Sequence, residues 1–234
     1  MTLTLPRRQL ASLTPRQQLR SGRMPRRLVQ LFIGLTFFGA SMGMMVRARL
    51  GTAPWDVLHW GLTSRLPLSF GTIVIIVGAL VLLAWWPLRQ WPGLGTVCNV
   101  VWVGVASDAT LAVLDPPEAL GWRIALMVGG VVLNGVASAM YIGSQLGPGP
   151  RDGLMTGLAQ RTGRSIRLVR TSLEVVVLAS GWVLGGVVGV GTVLYATAIG
   201  PLIQLFLPLL IVDLGERGRY AAGPGDGEPA GSAS

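Results

Sequence analysis

The sequence predicts an all-α integral membrane protein that is built from two homologous repeats. Of its 234 residues, 51% are hydrophobic and only 12% are charged. The apolar residues form blocks close to the roughly 20 residues that a helix needs to cross a bilayer. A short motif rich in Gly and Pro, at residues 50–56, recurs at residues 146–152, a displacement of 96 residues. Self-similarity at a fixed displacement indicates an internal duplication.

Residues 1–27 precede the first apolar block and contain seven arginines and no acidic residue. We expect them to form a mobile arm in the cytoplasm, because loops rich in basic residues face that side. The net charge of +9 has the same explanation, since basic loops orient a membrane protein. Outside the loops no basic stripe is interleaved with aromatic residues, so we expect no nucleic-acid partner.

Six apolar blocks are long enough to cross the bilayer. They cover residues 28–46, 70–88, 94–114, 124–142, 168–188 and 190–212. We assign residues 28–114 to the first membrane repeat and residues 124–213 to the second, with a connecting loop at residues 115–123. Residues 214–234 are mostly Gly, Ala, Pro, Ser and acidic residues. Such a composition cannot bury enough apolar surface to fold, so we expect this tail to be disordered.

The duplication extends beyond the short motif. Identical residues at the same displacement include Gly34 with Gly130, Ser69 with Ser165, Gly95 with Gly191, Thr96 with Thr192, and Gly104 with Gly200. Many of the matched residues are glycine, which lets helices pack closely where the surrounding lipid is as apolar as leucine. Each repeat therefore contains one apolar block, the short motif, and two further blocks.

The number of membrane crossings depends on residues 54–65 and their counterpart in the second repeat. If these two segments do not cross the membrane, each repeat has three crossings and the second repeat is inverted relative to the first. If they do cross, each repeat has four crossings and the two repeats are parallel. Both arrangements leave the same excess of arginine on the inner face, so charge does not decide. A helix over residues 54–65 rises only about 18 Å, against an apolar core of about 30 Å. We therefore prefer six crossings plus one short re-entrant or interfacial helix per repeat, with eight crossings as the alternative.

Both copies of the motif predict a turn that leads into a short helix. Glycine suits the turn, and proline suits the first turn of a helix because its φ is fixed and its missing N–H is not needed there. The residues that carry this pattern are Gly51, Pro54 and Gly61 in the first copy and Gly147, Pro150 and Gly157 in the second.

Asp56 and Asp152 fall in the first turn of the two short helices. A carboxylate there meets free backbone N–H groups and the positive end of the helix dipole, so one interpretation is that each stabilises its own helix. In the other, the two short helices meet near the middle of the membrane and line a transport path. Because each dipole already faces a carboxylate, that path would favour a cation or an amine over an anion.

Three further polar residues lie inside apolar blocks, where ionisable groups are costly and indicate function. Asp108 and Gln204 occupy equivalent positions of the two repeats. Glu174 follows Arg170 by one helical turn, so an ion pair explains it nearly as well as contact with a substrate. We predict that Asp108, Glu174 and Gln204 contribute to a substrate site together with Asp56 and Asp152.

Enzyme chemistry has little support in the sequence. The one histidine, His59, excludes a multi-histidine metal site, and its counterpart is Met155, so a mechanism shared by both repeats does not need it. No nucleophile elbow and no phosphate-binding loop is found. A single cysteine, Cys98, cannot form an intramolecular disulfide. We therefore expect no catalysis, no metal and no cofactor.

At the repeated motif the chain resembles a known family. Residues 51–58, with Gly61 and Leu62 after them and Gly95-Thr96 later, are similar to the YczE/YyaS/YitT group of bacterial multipass membrane proteins, and to its YczE branch most. The resemblance covers residues 28–213 and implies a multipass protein of the bacterial cytoplasmic membrane. It implies no reaction, because the group is largely without assigned function. In the second copy Arg151 replaces the tryptophan, which argues against a strictly symmetric site.

The sequence favours a small-solute transporter or permease whose site lies near the two short helices. The alternative is a membrane scaffold or regulatory partner without a transport path, in which glycines pack helices and aspartates start them. In both cases we expect contact with the lipid bilayer and both termini in the cytoplasm. A homo-oligomer or a membrane-protein partner is compatible with either function, and the solute is unknown.

Overall fold

The computed structural model describes residue 10 and residues 13–214, and this part of the chain contains nine α-helices and no strand. The helices are α1 (Pro15–Arg20), α2 (Met24–Ala48), α3 (Pro54–Thr63), α4 (Phe70–Trp85), α5 (Leu94–Val113), α6 (Leu120–Gly143), α7 (Pro150–Thr162), α8 (Ile166–Val183) and α9 (Val190–Leu210). Residues 1–9, 11 and 12 of the predicted arm and residues 215–234 of the predicted tail lie outside the described residues.

All six predicted apolar blocks form helices. Among the described residues, α2, α5, α6 and α9 are long and apolar enough to cross a membrane, judged by length and composition. Helix α4 is apolar but has 16 residues, and α8 has 18 residues that include three charged side chains. The two predicted short helices are α3, with 10 residues, and α7, with 13.

Helices α2 and α6 pack against each other in antiparallel directions at the centre of the molecule. Gly34 of α2 faces Met140 near the end of α6, where a Cβ on the glycine would lie 2.9 Å from the Met140 Cβ. Gly130, near the start of α6, faces Met45 near the end of α2 in the same way, at 2.9 Å from its Cγ. These glycines let the two backbones approach closely, which is how helices gain contact in lipid.

An arginine at the start of each central helix stabilises the end of the other. Arg27 donates from Nε and Nη2 to the carbonyls of Ser144 and Gln145, at 2.8 and 2.7 Å. Arg123 donates to two carbonyls at the end of α2, at 2.9 and 2.8 Å. The last carbonyls of a helix have no donor within it, so a guanidinium there replaces the missing bonds. Arg27 was predicted to belong to the mobile arm, but the structure places it in α2 with a fully buried side chain.

The remaining helices pack around this pair, and several of their contacts recur at a displacement of 96 residues. Below, the first half denotes α2 to α5 and the second half denotes α6 to α9. Helix α5 packs on α2 as α9 packs on α6, and α3 packs on α8 as α7 packs on α4. The amide of Gly191 donates to the Leu50 carbonyl at 2.7 Å, and the amide of Gly95 donates to the Leu146 carbonyl at 2.8 Å. Each short helix is thus held by elements of the other half.

The turns before the two short helices depend on glycine. Gly51 and Gly147 have φ values of +102° and +128°, which residues with a side chain rarely adopt. A Cβ on Gly51 would also lie 2.6 Å from the backbone nitrogen of Gly189. The helices that follow begin at Pro54 and Pro150, so each turn and each helix start lies where the motif predicts it.

Glycine allows close packing at both short-helix crossings. Where α7 crosses α4, the Trp85 ring covers Gly153, whose Cβ would lie 2.0 Å from the ring. Where α3 crosses α8, the small residue Gly181 lies on the long helix, and a Cβ on it would lie 2.6 Å from the Val57 carbonyl carbon. At this crossing the glycine lets the two backbones approach closely.

Candidate functional site

The amino-terminal ends of α3 and α7 meet in the interior. The second residue of α7, Arg151, places its guanidinium 4.9 Å from the ring centroid of Trp55, the second residue of α3. From this contact the helices diverge: Gly61 packs against the Gly181 carbonyl of α8, and Gly157 packs against the chain that follows α4. The two helix starts are therefore neighbours, although 96 residues separate them in the sequence.

A cavity of about 150 Å³ lies at this meeting point, and residues from α2 to α9 line it. Its volume is roughly ten times the space that one water molecule needs. Aromatic and aliphatic side chains form most of the wall, among them Phe38, Trp55, Val77, Tyr141 and Ile199. The ionisable groups in the wall are His59, Arg151, Asp152, Arg170 and Glu174. A mostly apolar wall with a few polar groups is typical of a small-molecule site.

Asp56 lies behind the cavity wall and supports it. Its side chain is 2% exposed, and Oδ1 lies 3.3 Å from Nδ1 of His59 and 3.7 Å from Nη2 of Arg151. Among the described residues no backbone N–H donates to this carboxylate, so its contacts are with side chains. Asp56 thus holds two groups that face the cavity.

Asp152 lines the cavity directly and is exposed. Its Oδ2 accepts a hydrogen bond from the Tyr141 hydroxyl at 3.1 Å. It forms no ion pair with any arginine or histidine of the described residues, although Arg151 is its neighbour in the sequence. The Asp152 carboxylate is therefore free to face the cavity.

Glu174 lines the cavity from α8, where it forms an ion pair with Arg170. The Arg170 Nε donates to Oε1 of Glu174 at 3.0 Å. The two side chains are 55% and 33% exposed for arginine and glutamate respectively. The structure thus shows the ion pair that the sequence suggested, and contact between Glu174 and a substrate stays a prediction.

The other two predicted residues lie outside the cavity. Asp108 accepts from the Gly71 amide at 2.6 Å and from the Ser69 hydroxyl at 2.5 Å, so it joins the end of α5 to the start of α4. Gln204, the equivalent residue, is exposed on α9. The structure does not bring these two residues to the same place as Asp152 and Glu174.

Several residues of the cavity were not predicted as site residues. The sequence did carry a signal for Arg151, because it breaks the match with Trp55. Tyr141 and Tyr195 carried none, since they align with unrelated residues of the other half. Tyr195 donates to Oδ1 of Asn134 at 3.2 Å. Among the described residues no group of three or more His, Cys, Asp or Glu could hold a metal ion.

Comparison with known proteins places the chain among membrane proteins. Residues 25–208 match the model of a family of unknown function, DUF6198. An uncharacterized protein of Haemophilus influenzae is 41% identical over 180 residues, which cover 77% of this chain and 83% of that protein. The uncharacterized membrane protein YczE of Bacillus subtilis is 35% identical over 181 residues, 76% and 83% of the two chains.

A third relative is the uncharacterized protein YyaS of Bacillus subtilis, which is 25% identical over 182 residues, 76% of this chain and 90% of YyaS. No solved structure matches the chain. The resemblance to the group that includes YczE and YyaS, inferred from the repeated motif, is confirmed by these relatives.

Proposed function

This chain belongs to the DUF6198 family, and we propose that it is a small-solute transporter of the bacterial cytoplasmic membrane whose substrate binds in the cavity between α3 and α7. The observation that carries the proposal is the meeting of two short-helix starts at a cavity that contains ionisable side chains. Such groups are costly inside a membrane and mark substrate or ion pathways. In transporters with repeated halves, the site lies where short helices of the two halves meet.

The proposed topology has six crossings, three in each of two inverted repeats. It is supported by the antiparallel packing of α2 and α6, which hold equivalent positions in the two halves; parallel repeats with four crossings each would orient them alike. Helices α3 and α7 are then re-entrant. The chain before each helix runs from one membrane surface to the middle of the membrane, and the helix leads it back to the same surface. Backbone of this kind is tolerated within a membrane where it is covered by protein or lines a cavity.

With the basic arm in the cytoplasm, this topology implies that the cavity is open to the inside. Helix α4 begins and α5 ends on the outer side, where a Cβ on Gly71 would lie 2.1 Å from the Gly104 carbonyl. Helix α8 begins and α9 ends on the inner side. There a Cβ on Gly200 would have no neighbouring heavy atom within 4 Å. We call these contacts the α4–α5 seam and the α8–α9 seam.

Water access to the cavity tests the transport proposal. In a chain made cysteine-free by Cys98→Ala, single cysteines replace the cavity residues Met155 and Ala196. We expect a membrane-impermeant maleimide to label both from the cytoplasmic side of vesicles. Val193→Cys is a matched control, because it lies on the same helix as Ala196 and is 64% exposed, but on the proposed lipid-facing surface.

The alternative of a scaffold without a transport path predicts a different result. Its cavity would hold no continuous water, so both cavity positions would stay unreactive from either side while the protein remains folded. That outcome would exclude the transporter. The transport proposal would also be contradicted if Val193→Cys were labelled as fast as Ala196→Cys. The reactivity of Ala196→Cys would then reflect general exposure rather than water in the cavity.

A further inference from the structure

Around the cavity, one carboxylate forms no ion pair with any cationic side chain of the described residues. Asp56 is paired with Arg151 at 3.7 Å and Glu174 with Arg170 at 3.0 Å. The cavity wall and the residues directly behind it thus contain three carboxylates and two guanidinium groups besides His59. This carboxylate is Asp152, which is exposed at the cavity and accepts a hydrogen bond from the Tyr141 hydroxyl.

The wall around this carboxylate suits an organic cation. Phe38, Trp55, Tyr141 and Tyr195 line the same cavity, and aromatic faces attract cations. The Arg151 guanidinium already lies 4.9 Å from the Trp55 centroid. An inorganic divalent cation would need several oxygen ligands, and the described residues contain no cluster of that kind.

We infer that the cavity binds a small organic ammonium ion, with Asp152 as the carboxylate that pairs with the ammonium group. The inference deepens the proposed transport function and rests on it. Asp56 and Arg151 position the wall, and Tyr141 orients the Asp152 carboxylate through its hydroxyl. Glu174 stays bound to Arg170 at the entrance.

Three matched probes test the charge of the ligand. They are 2-amino-1-phenylethanol as the ammonium ion, 1-phenyl-1,2-ethanediol as its neutral analogue, and mandelate as the anion. Each is added to vesicles that contain the cysteine-free chain with Ala196→Cys, and the rate of maleimide labelling is measured. We expect the ammonium ion to slow labelling at concentrations at which the other two do not.

Variants assign the effect to Asp152. Asp152→Asn keeps an acceptor for Tyr141 but loses the charge, and we expect it to weaken protection roughly tenfold or more. Asp115→Asn is the control, because Asp115 is an exposed carboxylate in the loop between α5 and α6 and should change nothing. A circular-dichroism spectrum and a single peak in gel filtration check that each variant is folded.

The outcomes separate this inference from the transport proposal. If Ala196→Cys is labelled but the ammonium ion does not protect it, or mandelate protects it better, the inferred ammonium site is wrong. The transport proposal is unaffected by that result. Equal protection in Asp152→Asn and in the parent chain would remove Asp152 from the site. If no cavity cysteine reacts at all, the transport proposal fails and takes the inference with it.

Discussion

The α4–α5 seam and the α8–α9 seam occupy equivalent places in the two halves, but only the first is closed. In the first, Gly71 and Gly104 bring the backbones together, and a Cβ on either would lie within 2.1 to 2.5 Å of the opposite carbonyl. In the second, α8 and α9 make little contact, and Gly200 faces open space. The two pairs of helices therefore differ in how closely their backbones pack.

The difference lies in one face of one helix. On α4 this face consists of Gly71, Val74 and Gly78; the equivalent residues of α8 are Arg167, Arg170 and Glu174. Glycines at this spacing let two helices touch, whereas long charged side chains keep them apart and hold water. The side chain of α9 opposite this face is small, because α9 has Ala196 at the position where α5 has Val100. The second seam thus has room for the larger side chains of α8.

Disulfide formation gives the largest expected contrast between the seams. A Cβ on Gly78 would lie 3.6 Å from the Val100 Cβ, which is within the range of a disulfide. In the Cys98→Ala background, Gly78→Cys with Val100→Cys should form a disulfide almost completely. The equivalent pair, Glu174→Cys with Ala196→Cys, should remain largely reduced. Protection from a polyethylene-glycol maleimide under mild oxidation measures both, and equal oxidation of the two pairs would show that the seams do not differ.

Enlarging the glycines tests why the first seam is closed. Gly71→Leu should destabilise the protein by about 1–3 kcal/mol or more, because the added side chain overlaps the Gly104 carbonyl. Gly200→Leu is the matched control and should change stability by less than about 0.5 kcal/mol, since nothing occupies that space. Thermal unfolding of the purified protein in detergent compares them. Similar losses in both variants would mean that the seams are packed alike.

The smallest expected contrast concerns Asp108 and Gln204. Asp108→Ala removes the acceptor for the Gly71 amide and the Ser69 hydroxyl, and should cost about 1–2 kcal/mol of stability, as loss of a helix cap does. Gln204→Ala removes an exposed side chain and should be close to neutral. The same unfolding measurement applies. If Asp108→Ala left stability unchanged but abolished the labelling of cavity cysteines, Asp108 would act in transport rather than in holding the seam.

The helices and the turns could be predicted from the sequence because they depend on neighbouring residues. Apolar blocks of sufficient length form α2, α4, α5, α6, α8 and α9, and glycine followed by proline starts each short helix. The functional meaning of equivalent positions could not be predicted. Asp108 and Gln204 align in the sequence, but their roles depend on the facing helix, which carries Gly71 in one half and Arg167 in the other.

By itself, the sequence determined that Asp56, Arg151 and Asp152 stand at the starts of two short helices with equivalent turns. Only the tertiary structure decided which carboxylate Arg151 binds. Arg151 does not pair with Asp152, its neighbour in the chain, but reaches across the helix crossing to Asp56, 95 residues earlier. The reason is geometric: adjacent residues of a helix point in different directions, and the side chain that meets Arg151 is set by how α3 and α7 approach each other. That approach leaves Asp152 facing the cavity.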